Sequence, residues 1–275
     1  MSFIGANFTV NALRPPRAKG ALHLSSKVLG NGSAIDTLRT SGSTKALFPH
    51  GRALEAIMIN TSGGLTGGDA FVADVKAGAG TEITLTTQAA ERAYRSAQGA
   101  AMVETRLSAQ EDATLFWLPQ ELIVFDGAGL NRRLTVDLAQ TSHLLMVEQI
   151  VFGRTAMGER VGQISLDDRI EIRRGNSPIY LDRIFIDGNA EDQLSGSAVA
   201  RDKRAVATVV SVHPNAETQL QTVRRMLPQT AGASLLAPDI LVLRLLAKDG
   251  YLMRCALVPV LELLKGGALP RSWSL

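Results

Sequence analysis

The chain has 275 residues, of which 45% are apolar, 20% charged and 5% aromatic. This length allows one large domain or two small ones, and it is enough to bury a substantial core. A single cysteine, Cys255, excludes an internal disulfide, and the four scattered histidines exclude the Cys/His cluster of a structural zinc site.

Charge is unevenly distributed along the chain. The 29 basic and 26 acidic residues leave a net charge of +3, too small an excess to indicate a nucleic-acid-binding protein. Residues 1–53 hold seven basic side chains against Asp36 alone, so this segment carries +6 and the remainder −3. We expect the basic segment to contact an acidic partner surface, with binding that weakens as salt is added.

No apolar run reaches the roughly 18 uncharged residues of a membrane-spanning helix. The first 20 residues also lack the basic-then-apolar order of a secretory signal. We therefore expect a cytoplasmic, soluble protein whose partners include neither membranes nor nucleic acid.

From about residue 20 to about residue 210, apolar residues alternate with polar ones, as is typical of half-buried β-strands. Turn signals rich in glycine, asparagine and aspartate fall between these segments at intervals of about ten residues. This spacing predicts a mainly β protein and favours a large antiparallel structure over a βαβ fold.

Helical periodicity is confined to the C-terminal part of the chain. The pattern predicts a surface helix over residues 216–227, a strand over 239–247, and a second, buried helix over 251–265. Pro259 lies inside this second helix and is expected to kink it. Residues 191–200 are predicted to form a loop.

A glycine-rich segment, NTSGGLTGGD (60–69), lies between two predicted strands. A phosphate-binding Walker A loop would end in Gly-Lys-Ser/Thr and lead into a helix, whereas this segment has no lysine and leads into a strand. We interpret it as a tight turn that requires positive φ angles, and alternatively as a place where a ligand or ion approaches the backbone.

The usual arrangements of catalytic residues are missing from the sequence. It contains no Gly-x-Ser-x-Gly elbow and no His-Glu-x-x-His motif, and Cys255 lies in an apolar run that predicts a core position. We therefore expect no catalytic residues and no cofactor-binding residues.

Two carboxylates stand in otherwise apolar strands. Glu148 alternates with Met146, Ile150 and Phe152, and Asp182 alternates with Tyr180, Ile184 and Ile186. A buried charge is unfavourable unless it is paired, hydrated or functional. One interpretation is a buried salt bridge to Arg154, Arg173 or Arg183; the other is a polar cavity whose oxygen ligands hold a hydrated cation weakly.

Four sequence blocks, taken in order, resemble the UreD (UreH) family of urease accessory proteins: NTSGGLTGGD (60–69), LTTQAAERAYRS (85–96), LFWLPQELIVFDGA (115–128) and VEQIVFGRTAMGE (147–159). The resemblance continues through SPIYLDRI (177–184) to LPRSW (269–273). It therefore covers nearly the whole chain and implies a single UreD-like domain over residues 1–275. The fold it implies is rich in β-sheet, stacked in a helix-like manner, with two α-helices near the C-terminus.

The resemblance also implies a function. It implies a non-enzymatic chaperone for nickel insertion that binds apo-urease subunits and UreF, reaches UreG through UreF, and acts with UreE indirectly. Nickel would be in transit, with no permanently bound cofactor, and the family's acidic positions map onto Asp69, Glu148 and Asp182 as a transient nickel route. The residues alone leave two alternatives open: a β-rich scaffold protein unrelated to urease, and a nucleotide-binding enzyme.

Overall fold

The computed structural model describes residues 16–51, 53–154 and 158–274. Within these ranges the strands are β1 Lys19–Leu29, β2 Gly32–Gly42, β3 Thr44–Leu47, β4 Leu54–Asn60, β5 Ala70–Ala77, β6 Glu82–Thr87, β7 Glu91–Ala93, β8 Ala101–Ala109, β9 Thr114–Leu118, β10 Leu122–Val124, β11 Gly129–Leu138, β12 His143–Phe152, β13 Ile164–Arg174, β14 Ser177–Gly188, β15 Ala205–Val212, β16 Ala231–Ala237 and β17 Ile240–Ala247. The helices are α1 Ala190–Ser195, α2 Ala216–Met226 and α3 Gly250–Lys265, followed by a short 3-10 helix, Arg271–Ser274.

These strands form two stacked sheets. Sheet A has the order β14-β13-β11-β8-β5-β1-β2, and sheet B has the order β16-β17-β15-β12-β9-β6-β4-β3, with β10 and β7 attached beside β12. From β4 to β13 the long strands fall alternately in sheet B and sheet A, so the chain winds as a solenoid. The expected mainly β, stacked architecture is confirmed.

The expected antiparallel arrangement is wrong for the centre of both sheets. The neighbours β5, β8, β11 and β13 run parallel in sheet A, as do β4, β6, β9 and β12 in sheet B. Antiparallel pairs flank this centre, for example β13 with β14 and β12 with β15. Alternation shows that one face of a strand is buried, but it carries no information about the direction of the neighbouring strand.

The two C-terminal helices and the strand between them, β17, are confirmed, and Pro259 lies inside α3. The expectation that this second helix is buried is wrong for one of its faces, on which Tyr251 is 75% exposed. The predicted loop over 191–200 is wrong in its first part, where α1 forms because the Asn189 side chain accepts the first free N–H groups of that helix. The core position expected for Cys255 is also wrong, since α3 buries only one face and Cys255 is exposed on the other. No helix in the described ranges is long and apolar enough to cross a bilayer.

The apolar core has three parts. Helices α2 and α3 cover the outer face of sheet B, where Val209, Val223, Leu243, Leu257 and Leu261 pack together. Between the two sheets lie two separate clusters, one containing Leu22, Ile83, Leu115, Leu134, Met146 and Ile170, the other containing Leu122, Leu130, Ile150, Phe152 and Leu166. The boundary between these two inner clusters is polar, and it contains the candidate site.

Candidate functional site

A layer of polar side chains crosses the interior between the sheets. Six strands each contribute one residue to it: Arg132 from β11, Asp168 from β13, Asp182 from β14, Glu148 from β12, Thr208 from β15 and Arg244 from β17. Strand register aligns them, because Arg132 lies opposite Asp168, while Glu148 lies opposite Thr208 and Thr208 opposite Arg244. The layer brings three carboxylates and the guanidinium of Arg132 into an otherwise apolar interior, and Arg244, whose side chain is 40% exposed, lies at its edge.

The centre of this layer is a buried ion triad. Nη1 of Arg132 lies 2.7 Å from Oε2 of Glu148, and its Nε and Nη2 donate to the two oxygens of Asp168 at 2.8 and 2.6 Å. Nε1 of Trp117 donates to Oε1 of Glu148 at 2.6 Å. The salt-bridge interpretation of Glu148 is therefore correct in kind, but the partner is Arg132 and not Arg154, Arg173 or Arg183.

The triad has more negative than positive charge. The side chains of Arg132, Glu148 and Asp168 are 16%, 7% and 5% exposed. Burial raises the pKa of Glu148, and the positive charge of Arg132 opposes this shift. Burial acts to lower the pKa of Arg132, but the two carboxylates outweigh it and raise that pKa overall. One guanidinium thus compensates two carboxylates.

Two cavities meet at Glu148. The outer cavity has a volume of about 270 Å³, and its polar lining includes Asn60, Glu91, Trp117, Arg132 and Glu148. The inner cavity, of about 10 Å³, is lined by Glu148, Asp168, Asp182 and Thr208 together with the apolar residues Ile150, Ile170, Ile184 and Val206. The inner volume is close to what a single water molecule requires.

Asp182 closes the far side of the inner cavity. Its Oδ2 accepts hydrogen bonds from the Tyr180 hydroxyl at 3.2 Å and the Thr208 hydroxyl at 3.4 Å, and it pairs with Arg244. Burial, with the charge of Asp182 adding to it, raises the pKa of Tyr180, so the hydroxyl remains a donor. Arg183, which the sequence offered as a partner, pairs instead with Asp167.

Asp69 is buried but lies apart from the other two candidate carboxylates. Its Oδ1 accepts the backbone N–H of Ala18 and its Oδ2 that of Thr66, both at 2.8 Å. Among the residues described, it lines neither of the two cavities. The structure therefore brings Glu148 and Asp182 together and places Asp69 where it holds the glycine-rich loop.

The glycine-rich loop forms the turn that was predicted, and it packs closely on the segment containing Tyr94. The backbone of Leu65 exchanges hydrogen bonds with this segment, accepting from the Tyr94 N–H at 2.8 Å. Gly64 has a φ of +151°, and a Cβ on it would lie 2.5 Å from the Tyr94 ring. A Cβ on Gly67 would lie 1.8 Å from Oγ of Ser96. Glycine is required at both positions because the neighbouring segment lies too close to leave room for a Cβ atom.

The lining of the outer cavity contains a carboxylate, Glu91, that sequence reasoning missed. Nδ2 of Asn60 donates to Oε2 of Glu91 at 3.1 Å, and the Arg92 N–H donates to Oε1 at 2.9 Å. Burial raises the pKa of Glu91. Glu91 begins a three-residue strand inside a polar run, so no periodic signal marks it as an inward-facing residue.

Arg132 and Asp168 were also missed, although a signal existed. Each alternates with apolar residues in the same way as Glu148, Arg132 between Leu130 and Leu134, and Asp168 between Leu166 and Ile170. The alternation test applied to all charged residues would have found both.

The layer does not resemble a resident metal centre. Within the described ranges, no three side chains of His, Cys, Asp or Glu are grouped so that they could hold a metal ion. The carboxylates are instead spread along the layer, and each is already in contact with a counter-ion or a hydrogen-bond donor.

These features define a β-solenoid protein with a polar layer between its two sheets and an outer cavity that reaches this layer at Glu148. The family model for the UreD urease accessory protein matches residues 18–274. A urease accessory protein UreD from Roseobacter denitrificans is 48% identical over 269 residues, covering 97% of this chain and 98% of the relative. Proteins with the same description from a Ruegeria species and from Rhizobium etli are 46% and 41% identical, covering 97% and 96% of this chain and 93% and 98% of the relatives. The chain belongs to the UreD family of urease accessory proteins.

Proposed function

We propose that this chain binds apo-urease and UreF and assists the insertion of nickel into the urease active site, for which its interior offers a polar route. Through UreF the assembly includes UreG, and UreE acts on it indirectly. The observation that carries the proposal is the meeting of two cavities at Glu148, with Asp168 and Asp182 on the inner side, in a member of the urease accessory family.

The ligand chemistry supports transit over storage. Imidazole and thiolate groups hold Ni²⁺ tightly, whereas separated carboxylates around a partly hydrated ion hold it weakly and release it. Glu148 and Asp182 both line one small cavity. An ion bound at one carboxylate can therefore pass to the other without leaving this cavity. Nickel is therefore cargo in this proposal, and no cofactor is permanently bound.

The same proposal gives the chain no reaction of its own. It acts in the cytoplasm, as a chaperone without catalytic residues and without nucleic-acid or membrane partners. The basic segment 1–53 contacts an acidic surface of a partner, although residues 1–15 and Arg52 lie outside the described residues. Of the described basic residues, Lys27 is paired with Asp36 at 3.2 Å. Partner binding is expected to weaken with added salt.

Pull-down and activation together test the proposal. The tagged chain is co-expressed with the apo-urease subunits and UreF, and captured partners and nickel-dependent urease activity are measured. Glu148→Gln and Asp182→Asn should leave capture intact and lower activation by about tenfold, because each removes a charged ligand from the route. Asp167→Asn is the matched control, since Asp167 pairs with Arg169 and Arg183 away from the two cavities.

Two results would count against the proposal in different ways. Normal activation by both site variants would contradict the nickel route. Failure of the folded chain to capture either partner would contradict the accessory role itself.

A further inference from the structure

We infer that Arg132 is the gate of the proposed route: its guanidinium occupies the place on Glu148 that a divalent cation must take to pass from the outer to the inner cavity. A cation can pass only when Arg132 leaves Glu148, and Arg132 remains on Asp168 while it does so. This inference rests on the proposed function, because it concerns the regulation of the same route.

The position of Arg132 relative to the two cavities is the first support. Arg132 and Glu148 are both lining residues of the outer cavity, whereas the inner cavity is lined by Glu148 and Asp168. The Arg132–Glu148 contact thus stands at the junction. At 2.7 Å between Nη1 and Oε2, it leaves no space for an ion between the two groups.

Arg132 contacts Asp168 more strongly than it contacts Glu148. The contact with Glu148 is therefore the one that breaks when the gate opens. Two N–H groups of the guanidinium hold both oxygens of Asp168 in a fork, the strong arrangement for an arginine–carboxylate pair. A single nitrogen approaches Glu148, and Oε2 of that carboxylate is buried with no well-directed hydrogen bond from any described residue. The Glu148 contact is therefore the weaker of the two.

Glu148 is held in place while its second oxygen stays available. Trp117 donates to Oε1 at 2.6 Å, so the carboxylate keeps its orientation when Arg132 moves away. A divalent cation at Oε2 carries twice the charge of the guanidinium and can replace it. Arginine does not lose its proton in proteins, so the gate opens by displacement of the side chain.

Arg132→Lys tests the gate without removing the positive charge. A lysine ammonium is a single-point donor and cannot hold both carboxylates, so one of them is released for a cation. In calorimetric titration of the full chain with Ni²⁺ alone, we expect Arg132→Lys to bind nickel about tenfold more tightly than the wild type. The gain should disappear in Arg132→Lys/Glu148→Gln.

A matched control is available at Arg174. Its side chain is 18% exposed and pairs with the single carboxylate of Asp239 at 2.6 Å, away from both cavities. Arg174→Lys should leave nickel affinity unchanged. Thermal unfolding of each variant shows whether the fold is retained.

Trp117 gives a second measurement that needs no change at Arg132. In a Trp273→Phe background, Trp117 is the remaining tryptophan of the chain, and its emission should shift as Ni²⁺ reaches Glu148. The same titration with Glu148→Gln added should show no shift. Nickel binding without any shift would show that the ion does not reach Glu148, which would overturn the route through Glu148 and the gate with it.

The possible failures of the gate and of the route are distinguishable. If the wild type and Arg132→Lys bind nickel equally well, Arg132 does not compete with the cation and the gate is refuted, while the route remains. If neither protein binds nickel, the route is refuted and the gate with it.

Discussion

Replacing Arg132 with methionine removes the one positive charge between two buried carboxylates. Methionine fills a similar volume, so the main loss is electrostatic: Glu148 and Asp168, 7% and 5% exposed, are left facing each other without a counter-ion. Removing one partner of a buried ion pair typically costs about 3–5 kcal/mol. We expect the free energy of unfolding of Arg132→Met to fall by that amount at neutral pH.

The expected change in melting temperature follows from the size of the chain. An unfolding entropy of about 2.1 cal/mol/K per residue gives about 0.6 kcal/mol/K for 275 residues. The loss therefore corresponds to a decrease in Tm of about 5–9 °C. Burial raises the pKa of Glu148, and the variant lacks the positive charge of Arg132 that opposes this shift. Glu148 therefore takes up a proton as the pH falls, so the loss should be smaller at about pH 5 than at about pH 7.5.

Arg106→Met is the matched control for this experiment. Arg106 also bridges two carboxylates, Asp74 at 3.0 Å and Glu104 at 2.6 Å, but its side chain is 52% exposed. Exposed pairs contribute little, so this variant should change stability by less than about 0.5 kcal/mol. Thermal and urea unfolding of both variants measure the difference. Equal losses for Arg132→Met and Arg106→Met would refute the reasoning, since burial would then have no influence on the cost.

Three further changes test other parts of the site. Trp117→Phe removes the N–H donor to Glu148 and should lower the free energy of urea unfolding by about 1.5–3 kcal/mol; a neutral result would contradict the importance of that bond. Because burial raises the pKa of Glu91 above its ordinary value of 4.5, the ionised form is disfavoured in the fold, and the stability of the wild type relative to Glu91→Gln should fall as the pH rises from about 4 to about 7.5. A pH-independent difference in thermal unfolding would contradict that burial effect. Gly67→Ala places a Cβ 2.3 Å from the Gln98 carbonyl oxygen and should lower Tm through a loss of about 1–3 kcal/mol, whereas an unchanged Tm would show that the loop yields without cost.

The sequence predicts where the strands of this chain lie better than it predicts which strands pair and in which direction they run. Alternation identifies strands such as β12 and β14, and the interruption of the apolar pattern identifies Glu148 and Asp182 as unusual. The direction of neighbouring strands depends on contacts between distant segments, so parallel solenoid strands and antiparallel hairpins look alike in one sequence.

The partners of the buried carboxylates show the same limit. Arg154, Arg173 and Arg183 are close to Glu148 or Asp182 in the sequence, but the strand register selects Arg132 and Arg244. Alternation along each strand turns these two partners toward the other sheet, and the register places them at the same level as the acids. The register between strands that are distant in the sequence is set by the assembled fold, so a local sequence pattern does not predict it.

The polar layer also has a consequence for how the strands align as the protein folds. Shifting β13 by two residues along β11 would keep every side chain on its own face, yet it would place Leu166 or Ile170 opposite Arg132. Asp168 would then lie among leucines and isoleucines without its counter-ion, a cost that apolar layers alone would not impose. A core made only of aliphatic residues tolerates such a two-residue shift in register. A core that contains one layer of charged residues favours the single register in which each charge meets its partner.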